Sequence, residues 1–396
     1  MNPRDVVLGM GNNVDYELRW DEDEFRRRVA RVGLTRADLG QQVIVDERSL
    51  LASMCAFMDA SVGGEREVGS PTVIEEFIEG FEWRATMGGT AMRAAAAMSR
   101  LGVGGTLHLT TMNECVRRSL PAGFDWVCSA AQERLYPHLI VQYPAGASIE
   151  LADGYQVAPR MANRLIYVRD DDNARLLVSP RFAAMMPAAR FVLVSGFNAI
   201  TDPNVLARRL DQVGAALDGV GVGATVMLEE AAYHDPAFAV VVASALGSRA
   251  GVHSMNADEF AGWAGRDQLP SDPGELAGEV ARLRKRIGAD NLLVHAQEWA
   301  LVCGPQAEAF GPALEHGVRV AATRVRVGDA LTWDELQATE SFPRAAAGLA
   351  LAVWAADHRE AGVHVCPGYV VDVPRPVTIG LGDAFVGGFA AALTRR

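Results

Sequence analysis

Short runs rich in Val, Ile and Leu, separated by longer segments of helical period, recur along most of the 396-residue chain. That alternation constrains the fold more than any other feature, because a strand apolar on every residue needs cover on both faces and intervening helices supply it. Strands are expected at Val6–Met10, Thr106–Thr110, Phe191–Val194, Ala224–Leu228, Val252–Met255, Leu292–His295, Ala300–Cys303 and Val318–Ala322. Helices are expected at Ala91–Leu101, Asp202–Ala216, Pro236–Leu246, Gly274–Ile287, Pro343–Asp357 and Gly382–Thr394. The order implies an α/β architecture built on a parallel sheet with right-handed crossovers.

Two stretches depart from the rhythm. His138–Tyr143, the turn Pro144-Ala145-Gly146-Ala147, Ser148–Leu151 and Leu165–Arg169 read as antiparallel hairpin strands. Residues from about Asp15 to Glu82 are charged and irregular. Together they suggest a small, discontinuous, β-rich lid (residues 15–87 and 136–169) beside a large α/β domain (1–14, 88–135 and 170–396). A net charge of -12 argues against broad nucleic-acid or anionic-membrane binding. No window approaches the roughly 20 apolar residues of a membrane helix, and MNPRDVVLGM lacks a signal-peptide pattern, so a soluble, cytoplasmic protein is expected. Cys55, Cys115, Cys128, Cys303 and Cys366 are far apart, without metal-ligand spacing, and are expected to be reduced.

In a doubly wound sheet, ligands sit beyond the carboxyl ends of strands, which directs attention to four places. Gly9-Met10-Gly11-Asn12-Asn13-Val14-Asp15 follows the first strand, and Asn13 and Asp15 could hydrogen-bond sugar hydroxyls. Glu229 and Glu230 follow another strand. Asn256 and Glu259 follow the next, where they also fit a helix capping box. Glu229 and Glu259 could form an outer shell for Mg2+ held through waters. The segment Thr378-Ile379-Gly380-Leu381-Gly382-Asp383-Ala384-Phe385 is the most specific. Its glycines let successive N–H groups converge at a helix start, and an aspartate there can reach an attacking hydroxyl. Met87-Gly88-Gly89-Thr90-Ala91 opens an alanine-rich helix, where a missing side chain permits close approach of a ligand or of a neighbouring element.

Taken in order, Asn-x-Asp after the first strand, Gly-Gly opening a helix and a late Gly-x-Gly-Asp resemble the ribokinase-like superfamily. Ala158-Pro159-Arg160-Met161-Ala162-Asn163-Arg164, Ser195-Gly196-Phe197-Asn198, Leu228-Glu229-Glu230-Ala231 and Asn256-Ala257-Asp258-Glu259 make the chain most similar to the ADP-dependent glucokinase and phosphofructokinase family. The resemblance, from Gly9 to Phe389, implies a ribokinase-like (Rossmann-like) large domain with a lid that closes over the sugar. It implies Asp383 as catalytic base, Gly380, Leu381 and Gly382 as anion hole, and Arg164 as a phosphate-binding arginine. Glu259, with Asn256, and Glu229 match the family's magnesium-site positions, and Asn13, Asp15, Gly88 and Gly89 fall where sugar hydroxyls are held. Glu65 resembles a glutamate of glucose-accepting members. This chain carries Met227 where many members have His two residues before the acidic magnesium-site residue, and Thr90 where Asn is frequent. Only 13 residues follow Asp383, which leaves the adenine pocket to upstream loops such as Val363–Val377.

The function implied is Mg2+-dependent phosphoryl transfer from ADP to a hydroxyl of a hexose or hexose phosphate, of the glucose or fructose 6-phosphate type. Small-molecule sugar and adenine nucleotide are the expected partners. The alternatives are an ATP-dependent carbohydrate kinase and a non-catalytic sensor of sugar or nucleotide, which would not need the base. A nicotinamide-dependent oxidoreductase is disfavoured, since no third glycine completes the dinucleotide fingerprint after the first strand.

Overall fold

The computed structural model describes residues 5–40, 43–373, 377 and 379–395. Pro374, Arg375, Pro376 and Thr378, from the segments expected to shape the adenine pocket and to open the glycine-rich turn, lie outside the described residues. The main body is a nine-stranded sheet. From one edge it runs Phe124–Cys128, Gly105–Leu109, Val6–Leu8, Phe191–Val194, Thr225–Glu229, Val252–Asn256 and Leu292–His295, all parallel. Trp299–Cys303 and Val363–Pro367 then add antiparallel at the far edge.

An entirely parallel sheet was expected, and the spacing explains the difference. Only Ala296, Gln297 and Glu298 separate His295 from Trp299, closed by a hydrogen bond from Ala296 N to Trp299 O, and no crossover helix fits in three residues. The expected strand Val318–Ala322 is instead part of the long helix Ala307–Val327. Its β-branched residues are buried against the C-terminal helix Leu381–Thr394, and that packing overrides strand propensity. The close approach needs small residues: a Cβ on Gly388 would fall 2.8 Å from the Val320 side chain.

The second sheet has five strands in the order Gly64–Glu67, Asn163–Val168, Pro137–Tyr143, Asn13–Leu18 and Trp83–Gly88. The central pair Pro137–Tyr143 and Asn163–Val168 is antiparallel. Ile149–Glu150 pairs separately with Gln156–Val157. Residues between Asp15 and Glu82 are more regular than expected. Helices Glu22–Val32, Glu47–Ala60 and Pro71–Ile78 lie there, capped by Asp21, by the Asp46–Ser49 capping box, and by Ser70 before a first-turn proline. These start signals were present in the sequence beneath the charge that suggested irregularity.

The first two of the four passages between the sheets meet at one place. The chain leaves the large sheet after Leu8 and enters the small one at Asn13. It returns from Gly88 through Gly89 into helix Thr90–Arg100. Asn13–Leu18 and Trp83–Gly88 pair antiparallel, so Asn13 lies opposite Gly88 at the junction, at the carboxyl end of the first large-sheet strand.

Candidate active site

The C-terminal helix begins beside this junction. Gly380 caps it in the left-handed region at φ 69°, and a Cβ there would lie 2.6 Å from Arg93 Nη1. The conformation favours glycine, and any side chain there would push the Arg93 guanidinium aside. Asp383, in the first turn, has a side chain 23% exposed, and its Oδ2 stands 3.8 Å from Arg93 Nε. Arg93 Nη2 donates to Asp15 Oδ2 at 2.7 Å. One guanidinium thus joins the helix-start carboxylate to the carboxylate of the junction strand. Burial works against the Arg93 charge, but Asp15 and then Asp383 outweigh it and raise its pKa.

Asp15 Oδ1 accepts from Asn13 Nδ2 at 2.5 Å. Gly88 leaves room for this pair: a Cβ there would lie 2.1 Å from Asn13 Nδ2 and 2.7 Å from Asp15 Oδ2. Gly89, at φ 88°, brings its backbone against Gly11 and Asn12. His138, opposite Asp15 in the neighbouring strand, joins Asp170 Oδ2 through Nε2 at 3.2 Å and places Nδ1 4.0 Å from Asp15 Oδ1. Burial opposes its charge, yet the Asp170 hydrogen bond and the charges of Asp170, Asp15 and Glu65 raise its pKa.

Glu65 belongs to the same group. Although open to solvent, it stands in a crowded cleft: desolvation, reinforced by Asp15, raises its pKa, while His138, Arg164 and His234 pull it down. Arg164 is exposed on the adjoining strand, within electrostatic reach of Glu65.

Glu229 and Glu259 meet on the other side of the helix start. Glu229 is buried; its Oε1 pairs with His295 Nε2 at 3.2 Å, and its Oε2 has no hydrogen-bond partner among the described residues. Asn256 and Glu259 form the capping box, with Asn256 N donating to Glu259 Oε2 at 2.8 Å and Glu259 N to Asn256 Oδ1 at 2.9 Å. The box does not neutralise Glu259. Burial and the nearby Glu229 push its carboxyl up to about 7, with the Asn256 amide and His295 opposing. His295 stacks on Phe385 with ring centroids 4.8 Å apart, and its pKa is raised because its hydrogen bond to Glu229 and the charges of Glu229, Glu259 and Asp383 overcome desolvation. No group of three or more His, Cys, Asp or Glu among the described residues is arranged to hold a metal ion directly. The unpartnered Glu229 oxygen and the unsettled Glu259 carboxyl nevertheless fit a hydrated divalent cation that completes its shell with waters and phosphate oxygens.

The structure therefore gathers Asn13, Asp15, Gly88, Gly89 and Glu65 at the junction, with Gly380, Leu381, Gly382 and Asp383 facing them across Arg93 and Glu229, Asn256 and Glu259 flanking them. Arg164 lies on the small-sheet side. The sequence does not single out His138 or His295, and offers Arg93 only as one of four arginines, with Arg84, Arg160 and Arg169, that it cannot place near an acceptor. His295 could have been found, since it ends a predicted strand where site residues gather. Arg93 and His138 carry no local motif. All five cysteines are free thiols. Among the described residues no helix is long and apolar enough to cross a membrane.

Residues 4–266 match the sequence profile of the ADP-specific phosphofructokinase/glucokinase conserved region. Comparison with curated protein sequences finds no match. The chain superimposes on a hypothetical ADP-dependent phosphofructokinase from Pyrococcus horikoshii OT3 with a TM-score of 0.77 at 15% identity, covering 99% of both chains. A phosphofructokinase from the same organism, with AMP, gives 0.74 at 14% identity, over 98% of this chain and 97% of that one. An ADP-dependent kinase in complex with fructose-6-phosphate and ADPbetaS gives 0.71 at 13% identity, over 99% and 94%.

Proposed function

We propose, from the premise that the chain belongs to the ADP-specific phosphofructokinase/glucokinase family and is an ADP-dependent sugar kinase, that it phosphorylates a hydroxyl of a hexose or hexose phosphate with Asp383 as general base. The observation that carries the reading is the link through Arg93 between Asp15, on the acceptor side, and Asp383, at the start of the C-terminal helix. Asn13, Asp15 and the backbone at Gly88 and Gly89 hold the sugar hydroxyls. Asp383 takes the proton of one of them as its oxygen bonds to the β-phosphorus of ADP. The bond from that phosphorus to the bridging oxygen breaks, and AMP leaves.

Backbone N–H groups at Gly380, Leu381 and Gly382, with the positive end of the helix, receive the charge on the transferring group. Arg164, brought over from the small-sheet side, clamps a terminal phosphate in a planar fork, and closure excludes water as a competing acceptor. Glu229 and Glu259, with Asn256, would hold the water shell of a magnesium ion, which when bound neutralises charge on the nucleotide phosphates. Soluble, cytoplasmic operation in sugar catabolism fits this chemistry.

The test measures sugar phosphate formed from glucose and from fructose 6-phosphate, with purified ADP or ATP and no adenylate kinase. Turnover of at least one acceptor is expected, with kcat/KM for ADP at least about tenfold above ATP, equivalent to about 1.4 kcal/mol in transition-state binding. ADP-dependent activity on neither acceptor class would overturn the assignment of the sugar.

A further inference from the structure

The strand Thr225–Glu229 ends on one glutamate and is followed by another, Glu230, and the phosphoryl site uses only the first. Side chains alternate along a strand, so Glu229 shares a face with Met227, toward the C-terminal helix, whereas Glu230 shares the opposite face with Val226 and Leu228. On that opposite face lies a cavity of about 750 Å³ between helix Pro236–Leu246 and helices Ala257–Ala264 and Pro273–Ile287. Its volume is that of a small-ligand site. Tyr233, Ala239, Ala243 and Trp263 line it, with Arg286 at one end, its guanidinium 5.5 Å from the centre of the Trp263 ring.

Glu230 also lines this cavity and is almost wholly buried, its side chain 2% exposed. Oε2 is paired with His253 Nε2 at 3.0 Å and the Tyr233 hydroxyl stands near enough to interact with the carboxylate, but Oε1 has no partner in hydrogen-bonding geometry among the described residues. A buried carboxylate oxygen without a donor is costly, and a ligand supplying an N–H would remove that cost. Asp258 adds negative charge to the same lining, so the complementary group is a cation or strong donor, while the aromatic and aliphatic walls favour a flat apolar body.

We propose that this cavity binds a small aromatic amine, its ring against Trp263 and Tyr233 and its nitrogen donating to Glu230, on the face of the sheet away from the C-terminal helix and sharing only Asn256 and Glu259 with the cation site. The experiment is calorimetric titration of the full chain with tryptamine, in the presence and absence of saturating ADP, with indole-3-propionate as the control that carries a carboxylate in place of the ammonium. One saturable site for tryptamine is expected, retained in the presence of saturating ADP, with no measurable heat from indole-3-propionate. Glu230→Gln, with its fold checked by circular dichroism, should weaken tryptamine at least tenfold. Should that variant fail to fold, Ala243→Met, which fills the cavity from its other wall, should abolish binding. Absence of saturation with the unmodified protein overturns the proposal, as do displacement by ADP and unchanged affinity in the folded variants. Self-association in sedimentation equilibrium that excludes tryptamine would also overturn it, since a second copy would then cover the cavity rim at Val240, which is exposed.

Discussion

Glu259 offers a quantitative handle on the cation site. Its carboxyl is pushed up to about 7, first by burial and then by Glu229, so without a cation it takes up a proton near neutral pH. A divalent cation selects the ionised form. With a pKa of about 7 the ionised fraction falls from about ten in eleven at pH 8 to about one in eleven at pH 6, roughly a tenfold loss of apparent cation affinity, or about 1.4 kcal/mol. His295 faces the same group and is also raised, and protonating it at low pH repels a cation, so it steepens the slope in the same direction. Mn2+ titrated into nucleotide-free protein and followed by electron paramagnetic resonance between pH 6 and 8 reads this directly. The affinity should fall at least tenfold across the range, and Glu259→Gln should remove one proton's worth of that slope while lowering affinity throughout. An identical slope in the variant would refute the coupling. The stability of the metal-free fold carries the opposite sign. A carboxyl raised from 4.5 in the native state stabilises the fold fully below that pH and loses the contribution as pH rises through about 7, on the order of 3 kcal/mol, and Glu259→Gln should flatten that decline.

Asp383→Asn should lower kcat by about 10^2-fold or more with nucleotide affinity nearly intact, because an amide of the same shape keeps the packing but takes no proton; turnover close to normal would remove Asp383 as base. Gly88→Ala places a methyl 2.1 Å from Asn13 Nδ2 and must displace the Asn13–Asp15 pair. Its acceptor KM should rise at least about tenfold with nucleotide binding unchanged, since the steric conflict is confined to the junction; an unchanged KM would mean that the pair does not hold the sugar.

How far the sequence reveals this arrangement depends on the range of the forces involved. The parallel strands Phe191–Val194, Thr225–Glu229 and Leu292–His295 are legible because burial on both faces leaves a largely apolar run, whereas Val252–Asn256 is legible from its place in the strand–helix rhythm although His253 and Ser254 interrupt it. The strands Phe124–Cys128 and Val363–Pro367 escape notice because each lies at a sheet edge, where polar residues alternate into the run. The glycine-rich turn before Asp383 and the Gly88-Gly89 step are legible because their glycines answer local demands of φ and space. Arg93 is one arginine on an alanine-rich helix, and no spacing singles it out. Its role comes from Asp15 and Asp383, 78 and 290 residues away along the chain, which only the folded backbone brings to it.

The departure at residue 227 shows the same principle in reverse. Met227 is buried in the core beneath the C-terminal helix and offers Glu229, two residues along the same face, no hydrogen bond. Read along one strand, this leaves a buried carboxylate without a donor, an expensive arrangement. The partner comes from two strands away: Leu292–His295 lies beyond Val252–Asn256 in the sheet, and its terminal His295 reaches Glu229 Oε1. Because His295 also stacks on Phe385, two residues after Asp383, it ties the cation-side carboxylate to the helix that carries the base. The requirement is for a donor at one point in space, at the carboxyl edge of the sheet, and any strand ending there can supply it. A motif confined to one strand describes only one of the routes by which this site can be completed.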